Sequence, residues 1–141
     1  MNIVDRYTSQ SPRIFAITRF IFGAMFATHG AQKLFGLFGG MPPGVPPHIT
    51  YGAGSIEFFG GILIALGLFT RSVAFLASGL MAFAYFVVHA PVAFFPIVNR
   101  GEPALLLCFL FLFMAAAGAG PYSLDAMWTA HREKRAVGPE D

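Results

Sequence analysis

The chain has 141 residues, of which 56% are hydrophobic and only 11% charged. Soluble domains carry about 25% charged residues, so this composition excludes an ordinary water-soluble globule and points to one integral membrane domain. A net charge of +2 is too small for a nucleic-acid partner, and the basic residues stand toward the ends, which suits the lipid bilayer as partner surface.

Residues 1–10 are polar and are expected on the membrane surface. Ser11-Pro12 reads as a helix start, with Ser as N-cap and Pro at the first helical position. The apolar run from about 12 to 38 is far longer than a signal-peptide core of about 7–15 residues, so it reads as a retained span. About 20 residues suffice to cross roughly 30 Å of hydrocarbon. Gly39-Gly40 ends the run, and the four prolines of 41–48 (MPPGVPPH) make a stiff loop.

A second helix is expected over about 50–69 and a third over about 72–95, bent near Pro91. The short Thr70-Arg71-Ser72 turn makes them antiparallel neighbours. A fourth helix is expected over about 99–117, stopped by Gly118-Ala119-Gly120-Pro121. Ser123 reads as the N-cap of a short interfacial helix over about 123–135. Its Leu124, Met127, Trp128 and His131 share one face ahead of Arg132, Lys134 and Arg135. The tail to Asp141 is expected to lack structure.

The fold class that follows is all-α: an integral membrane four-helix bundle with a short C-terminal interfacial helix. Arg6, Arg13, Arg71, Arg132, Lys134 and Arg135 fall on one side of a four-span chain, Lys33 and Arg100 on the other. The positive-inside rule then puts both termini in the cytoplasm.

A few ionisable residues sit inside these runs, where a charge costs about 2.5–3.5 kcal/mol at a helix centre on insertion scales. They are His29 and Lys33 in the first run, Glu57 in the second, His89 in the third and Glu102 at the mouth of the fourth. The topology brings all five to the outer half from four different helices. Arg19, Phe22, Phe26, His29 and Lys33 recur at spacings of 3, 4, 3 and 4, a single helix face. Glu57 precedes Gly60-Gly61, small residues that admit a close neighbour, so Lys33 or His29 is its natural partner and a protonated Glu57 is the other solution. Each hairpin places His late in its first helix and Glu early in its second, a faint twofold repeat.

Blander readings stand beside these. Arg19 reaches the inner interface with its head group. Lys33 and His89 do the same at the outer interface, and Glu102 completes a capping box with Asn99. Cys108 is the only cysteine, read as a small apolar residue, so the chain does no dithiol chemistry alone.

The stretches RFIFGAMFATHGAQKLFG, IEFFGGILIALGLFTR, NRGEPALLL and AGAGPYSLD carry H-G-x-x-K, E-x-x-G-G, G-L-x-T-R and N-x-G-E elements in order. Over about residues 13–125 the chain resembles the DoxX family of small bacterial four-helix membrane proteins. The resemblance implies a multi-pass protein of the bacterial inner (plasma) membrane. It also implies an association with redox chemistry, since the family name traces to a small subunit of an archaeal thiosulfate:quinone oxidoreductase and members belong to membrane-bound oxidative-stress complexes.

The expected function is an accessory membrane subunit that binds a quinone-like apolar cofactor, or relays protons, at a polar cavity in the outer half. Phe22 and Phe26 would wall a flat slot. His29, Lys33, Glu57, His89 and Glu102 would supply hydrogen bonds and protons. Electrons would come from a redox partner protein. Two alternatives stay open on the residues alone: a non-catalytic scaffold or small transporter subunit, and a bundle binding a metal through its His and Glu residues. Four short spans expose enough lipid-facing area to suit a homodimer.

Overall fold

A computed structural model describes residues 3–137 of the chain. The described residues are all-α with no strand: α1 (Ile3–Phe35), α2 (Gly54–Leu66), α3 (Thr70–Ala84), the single-turn α4 (Pro96–Asn99), α5 (Glu102–Ala117) and α6 (Leu124–Val137). Wide π-helical turns at Ile49–Ala53 and Tyr85–His89 lead into α2 and prolong α3. Three helical stretches are long and apolar enough to cross a membrane: Gln10–Phe35, Ile49–Leu66 and Thr70–His89. Helix α5 is as apolar but has 16 residues, a length of about 24 Å at 1.5 Å per residue.

The core is built on small residues and a few large ones. Phe26, Ile64, Ala74, Ala77, Met81, Cys108, Phe111 and Met114 are buried together, while Phe75, Leu106 and Phe109 stand well exposed on the outer faces. Such an outside is what a lipid environment tolerates. Helix α1 packs chiefly on α2, and α3 on α5. The α1–α2 contact is close because glycine faces backbone on both sides. A Cβ on Gly23 would lie 2.5 Å from the Ala65 nitrogen, and one on Gly61 would meet the backbone of Ala27 and Gly23.

Several boundaries differ from those the sequence suggests, each for a physical reason. Helix α1 does not begin at Pro12 but runs through it from Ile3; the proline removes one ladder bond without stopping the helix. It ends at Phe35, three residues early, because Gly36 turns left-handed at φ 68°. Helix α2 ends at Leu66 because Gly67 adopts φ 71° and closes a Schellman turn, with Leu68 N donating to Leu63 O at 2.9 Å and Gly67 N to Ile64 O at 3.0 Å. The turn therefore sits at 67–69 and not at 70–72. The third helix stops at His89 and not near residue 95, since Pro91 has no amide hydrogen to continue the ladder. The expected structureless tail is helical to Val137 and beyond that lies outside the described residues.

One end of the bundle is stitched by side chains from distant elements. Asp125 accepts from the Phe69 amide at 2.8 Å and the Thr70 amide at 2.9 Å, capping α3. Arg71 donates through Nη1 to the carbonyls of Ala115 and Ala116 at 3.1 and 2.6 Å, at the end of α5. Arg19 overturns the expectation of a head group at the interface. It is 3% exposed, and its Nη1 donates to Ile64 O and Ala65 O, its Nη2 to Tyr122 O, all at 2.7 Å. Gly67 makes room: a Cβ there would stand 2.6 Å from Nη1. The guanidinium thus meets the last carbonyls of α2, the negative end of that helix, instead of water. Ser123 caps α6, its Oγ accepting from the Ala126 amide at 3.2 Å.

Candidate functional site

The close approach of α1 and α2 decides where Lys33 goes. Gly30 lies against the Phe58 backbone, and Gly54 leaves only 3.0 Å between a would-be Cβ and the Lys33 Cβ. The Lys33 stem is therefore pressed onto α2 one turn before Glu57. Its Nζ donates to Glu57 Oε2 at 2.5 Å, with side-chain exposures of 15% and 5%. This is a largely desolvated ion pair, not a surface one.

The pair opens into a cavity of about 170 Å³ that is also lined by Phe26, His29, Met81 and His89. The Phe26 ring is fully buried and tilts against Phe111 at 4.8 Å between centroids. His29 is exposed and lines a shallow outer recess with Gln32 and Phe38 as well as the cavity, so it stands at the mouth.

His89 is held from behind. Its Nδ1 lies 3.1 Å from the Asn99 carbonyl oxygen, which can only accept. Nδ1 therefore carries the hydrogen in the neutral ring, and Nε2 keeps its lone pair. Asn99 is fixed in turn: its Nδ2 donates to Ala93 O at 2.6 Å and its Oδ1 accepts from Gly101 N at 2.7 Å. The Tyr85 hydroxyl donates to the Phe94 carbonyl, and the Tyr85 ring stacks on His89 with centroids 6.5 Å apart.

The expected residues thus divide. His29, Lys33, Glu57, His89 and Phe26 line one cavity. Phe22 is half-buried on α1 and Glu102 is exposed at the start of α5, and neither lines it. Glu102 makes no capping box either; Gly101 is the N-cap of α5 without a side-chain bond, and Asn99 serves the loop instead. The twofold repeat of His and Glu is broken at this residue. Among the described residues no group of three His, Cys, Asp or Glu is placed to hold a metal ion. Tyr85 and Asn99 are missed by reasoning on charge alone. The signal available for Asn99 is its place before Arg100, which takes the left-handed φ of 60°.

Apolar helices of membrane-crossing length around one buried ion pair define a small all-α membrane protein. The chain belongs to the DoxX family: the DoxX family model matches residues 14–90, a stretch that holds Phe26, His29, Lys33, Glu57 and His89. An uncharacterized protein of Haemophilus influenzae (strain ATCC 51907 / DSM 11121 / KW20 / Rd) is 41% identical over 132 residues, covering 89% of this chain and 96% of that protein. No solved structure matches the chain.

Proposed function

We propose that the chain is a multi-pass subunit of the bacterial plasma membrane whose charged cavity takes the head group of a quinone-like carrier and exchanges protons with the outer water. The observation that carries this reading is the Lys33–Glu57 pair sharing one apolar-walled cavity with two imidazoles. Helix α5 serves as the fourth span, its shortfall against about 30 Å of hydrocarbon being met by the loops at its ends. Both termini face the cytoplasm, and the proline-rich loop and Asn99 face outward. Cysteine labelling tests this cleanly because the native Cys108 is buried. Pro43→Cys is expected to react from outside and Ser72→Cys only from inside; the reverse pattern overturns the orientation.

The cavity has room for a single ring at most. Small-molecule pockets span about 300–1,000 Å³, so a cavity of about 170 Å³ admits one ring while an isoprenoid tail stays in lipid. A bound quinone would take two electrons from a partner redox protein and two protons, becoming a quinol. With a quinone bound, the Lys33 ammonium would donate a hydrogen bond to one carbonyl, and His29 at the mouth would pass protons between the cavity and water. Glu57 holds Lys33 in place. His89, held through Nδ1 by the Asn99 carbonyl, would offer Nε2 as an acceptor for a quinol hydroxyl.

A second reading has its own support: the pair joins α1 to α2 where glycines bring them together, as a scaffold's lock would. Glu57→Gln separates the two. It keeps the shape and hydrogen-bonding atoms but loses the charge. With the purified protein in nanodiscs and a short-chain quinone as probe, the cofactor reading expects a folded Gln variant that binds about tenfold more weakly or worse. A lower melting temperature with no quinone binding by either protein decides for the scaffold.

A further inference from the structure

The charged cavity lies at the end of α3 and the start of α5. At the other ends of these helices lies a recess of about 590 Å³, bounded by the start of α3, the turn after α5 and one face of α6. We propose that this recess binds the phosphate of an anionic phospholipid, one whose head group carries no cation beside that phosphate, through Arg71, Arg132 and the Thr70 hydroxyl, with Trp128 at its rim. The inference rests on the chain's lying in a membrane with this end on the cytoplasmic side and is independent of the quinone reading.

Charge is the first support. Two guanidinium groups line the recess, and neither makes an ion pair among the described residues. The single carboxylate there, Asp125, has both oxygens engaged by the Phe69 and Thr70 amides. Arg71 is a fixed cation: Nη1 donates to Ala115 O and Ala116 O and Nη2 to Ala117 O at 3.5 Å, which pins it along Gly118, where a would-be Cβ lies 3.1 Å from Nη2. Its Nε–H and the second Nη2–H remain as a pair of donors of the kind that grips phosphate. Arg132 is exposed on α6 and completes the positive wall.

An orphaned hydroxyl is the second, independent support. Thr70 is 0% exposed, lines the recess, and its Oγ1 has no hydrogen-bond partner. A buried hydroxyl is ordinarily paired. A phosphate oxygen seated between the two arginines would supply the missing partner once the side chains that now cover Oγ1 move aside.

Position and size select a lipid as the source of the phosphate. Exposed Phe69 and Trp128, with ring centroids 6.2 Å apart, line the recess, while exposed Leu124 and Met127 face a separate recess against α1 and α2. Trp and Phe on an amphipathic helix sit at the boundary of head groups and acyl chains. Ligand pockets of about 300–1,000 Å³ hold a molecule the size of a glycerophosphate head. Basic pockets between spans on the cytoplasmic side recur as anionic-lipid sites.

Trp128 is the only tryptophan in the chain and so reports on its own site. The test titrates the full chain in neutral detergent with short-chain phosphatidylglycerol, with short-chain phosphatidylcholine, and with inorganic phosphate. Phosphatidylglycerol is expected to change Trp128 emission saturably. Phosphatidylcholine, and Arg132→Gln with phosphatidylglycerol, are each expected to be about tenfold weaker or worse. The melting temperature of the lipid-free Gln variant should stay at the wild-type value, since Arg132 is exposed. A response that never saturates, equal affinity for the two lipids, or an unchanged Arg132→Gln titration overturns the proposal. Inorganic phosphate matching phosphatidylglycerol in affinity overturns the lipid assignment in favour of a free phosphate.

Discussion

Glu57→Ala is expected to destabilise the purified protein by about 3–5 kcal/mol, the range for breaking a buried ion pair by removing one partner. The cost comes from Lys33. Its stem is pressed onto α2 by Gly54 and its side chain is 15% exposed, so the ammonium cannot simply swing out to water. Replacing both members together should behave differently. Lys33→Met with Glu57→Leu leaves no buried charge and is expected to recover most of the loss, giving a large coupling energy in a double-mutant cycle. Glu102→Ala is the control: an exposed carboxylate with no capping bond should move stability by about 0.5 kcal/mol or less. Thermal and denaturant melts in detergent read all four. If Glu57→Ala melts with the wild type, the ion pair does not hold the fold.

Gly61→Val is expected to be comparably severe, by a different mechanism. A Cβ at 61 would lie 2.6 Å from Gly23 O and 2.8 Å from Ala27 Cα, atoms of a helix backbone and not the flexible end of a side chain. No rotamer change relieves that contact, so α1 and α2 must separate. Overpacking typically costs about 1–3 kcal/mol, occasionally more. Here the upper end or beyond is expected, because moving the helices apart also pulls Lys33 from Glu57. Gly79→Ala on α3 has open space around its Cβ, and should be neutral or gain up to about 1 kcal/mol as a helix-interior glycine is removed. A Gly61→Val protein as stable as wild type would mean that α1 and α2 do not pack as closely as described.

What the sequence makes legible follows from how local each cause is. His29 and Lys33 share a face because four residues are about one helical turn, and Gly60-Gly61 announces a close neighbour from composition alone. Those two facts suffice to suggest Lys33 as the partner of Glu57. The burial of Arg19 is not legible, because its acceptors are carbonyls 45, 46 and 103 residues away and room for it depends on a backbone twist at Gly67. Glu102 misleads for the opposite reason. Asn99-x-x-Glu102 satisfies the capping pattern, yet Arg100 takes a left-handed conformation and turns the Asn side chain into the loop. Helix ends are misplaced by three residues at Gly36 and Gly67, since an apolar run continues past the glycine that stops the helix.

The cap on α3 has a consequence in time. Its first two amides find their acceptor on Asp125, 55 and 56 residues further along the chain. Synthesis adds about 5–20 residues per second, so the start of α3 waits roughly 3–11 s for its cap to be made. Until then that helix end depends on water, lipid head groups or the insertion machinery to satisfy it. Helix α6 is therefore the clasp that closes a hairpin made much earlier in translation.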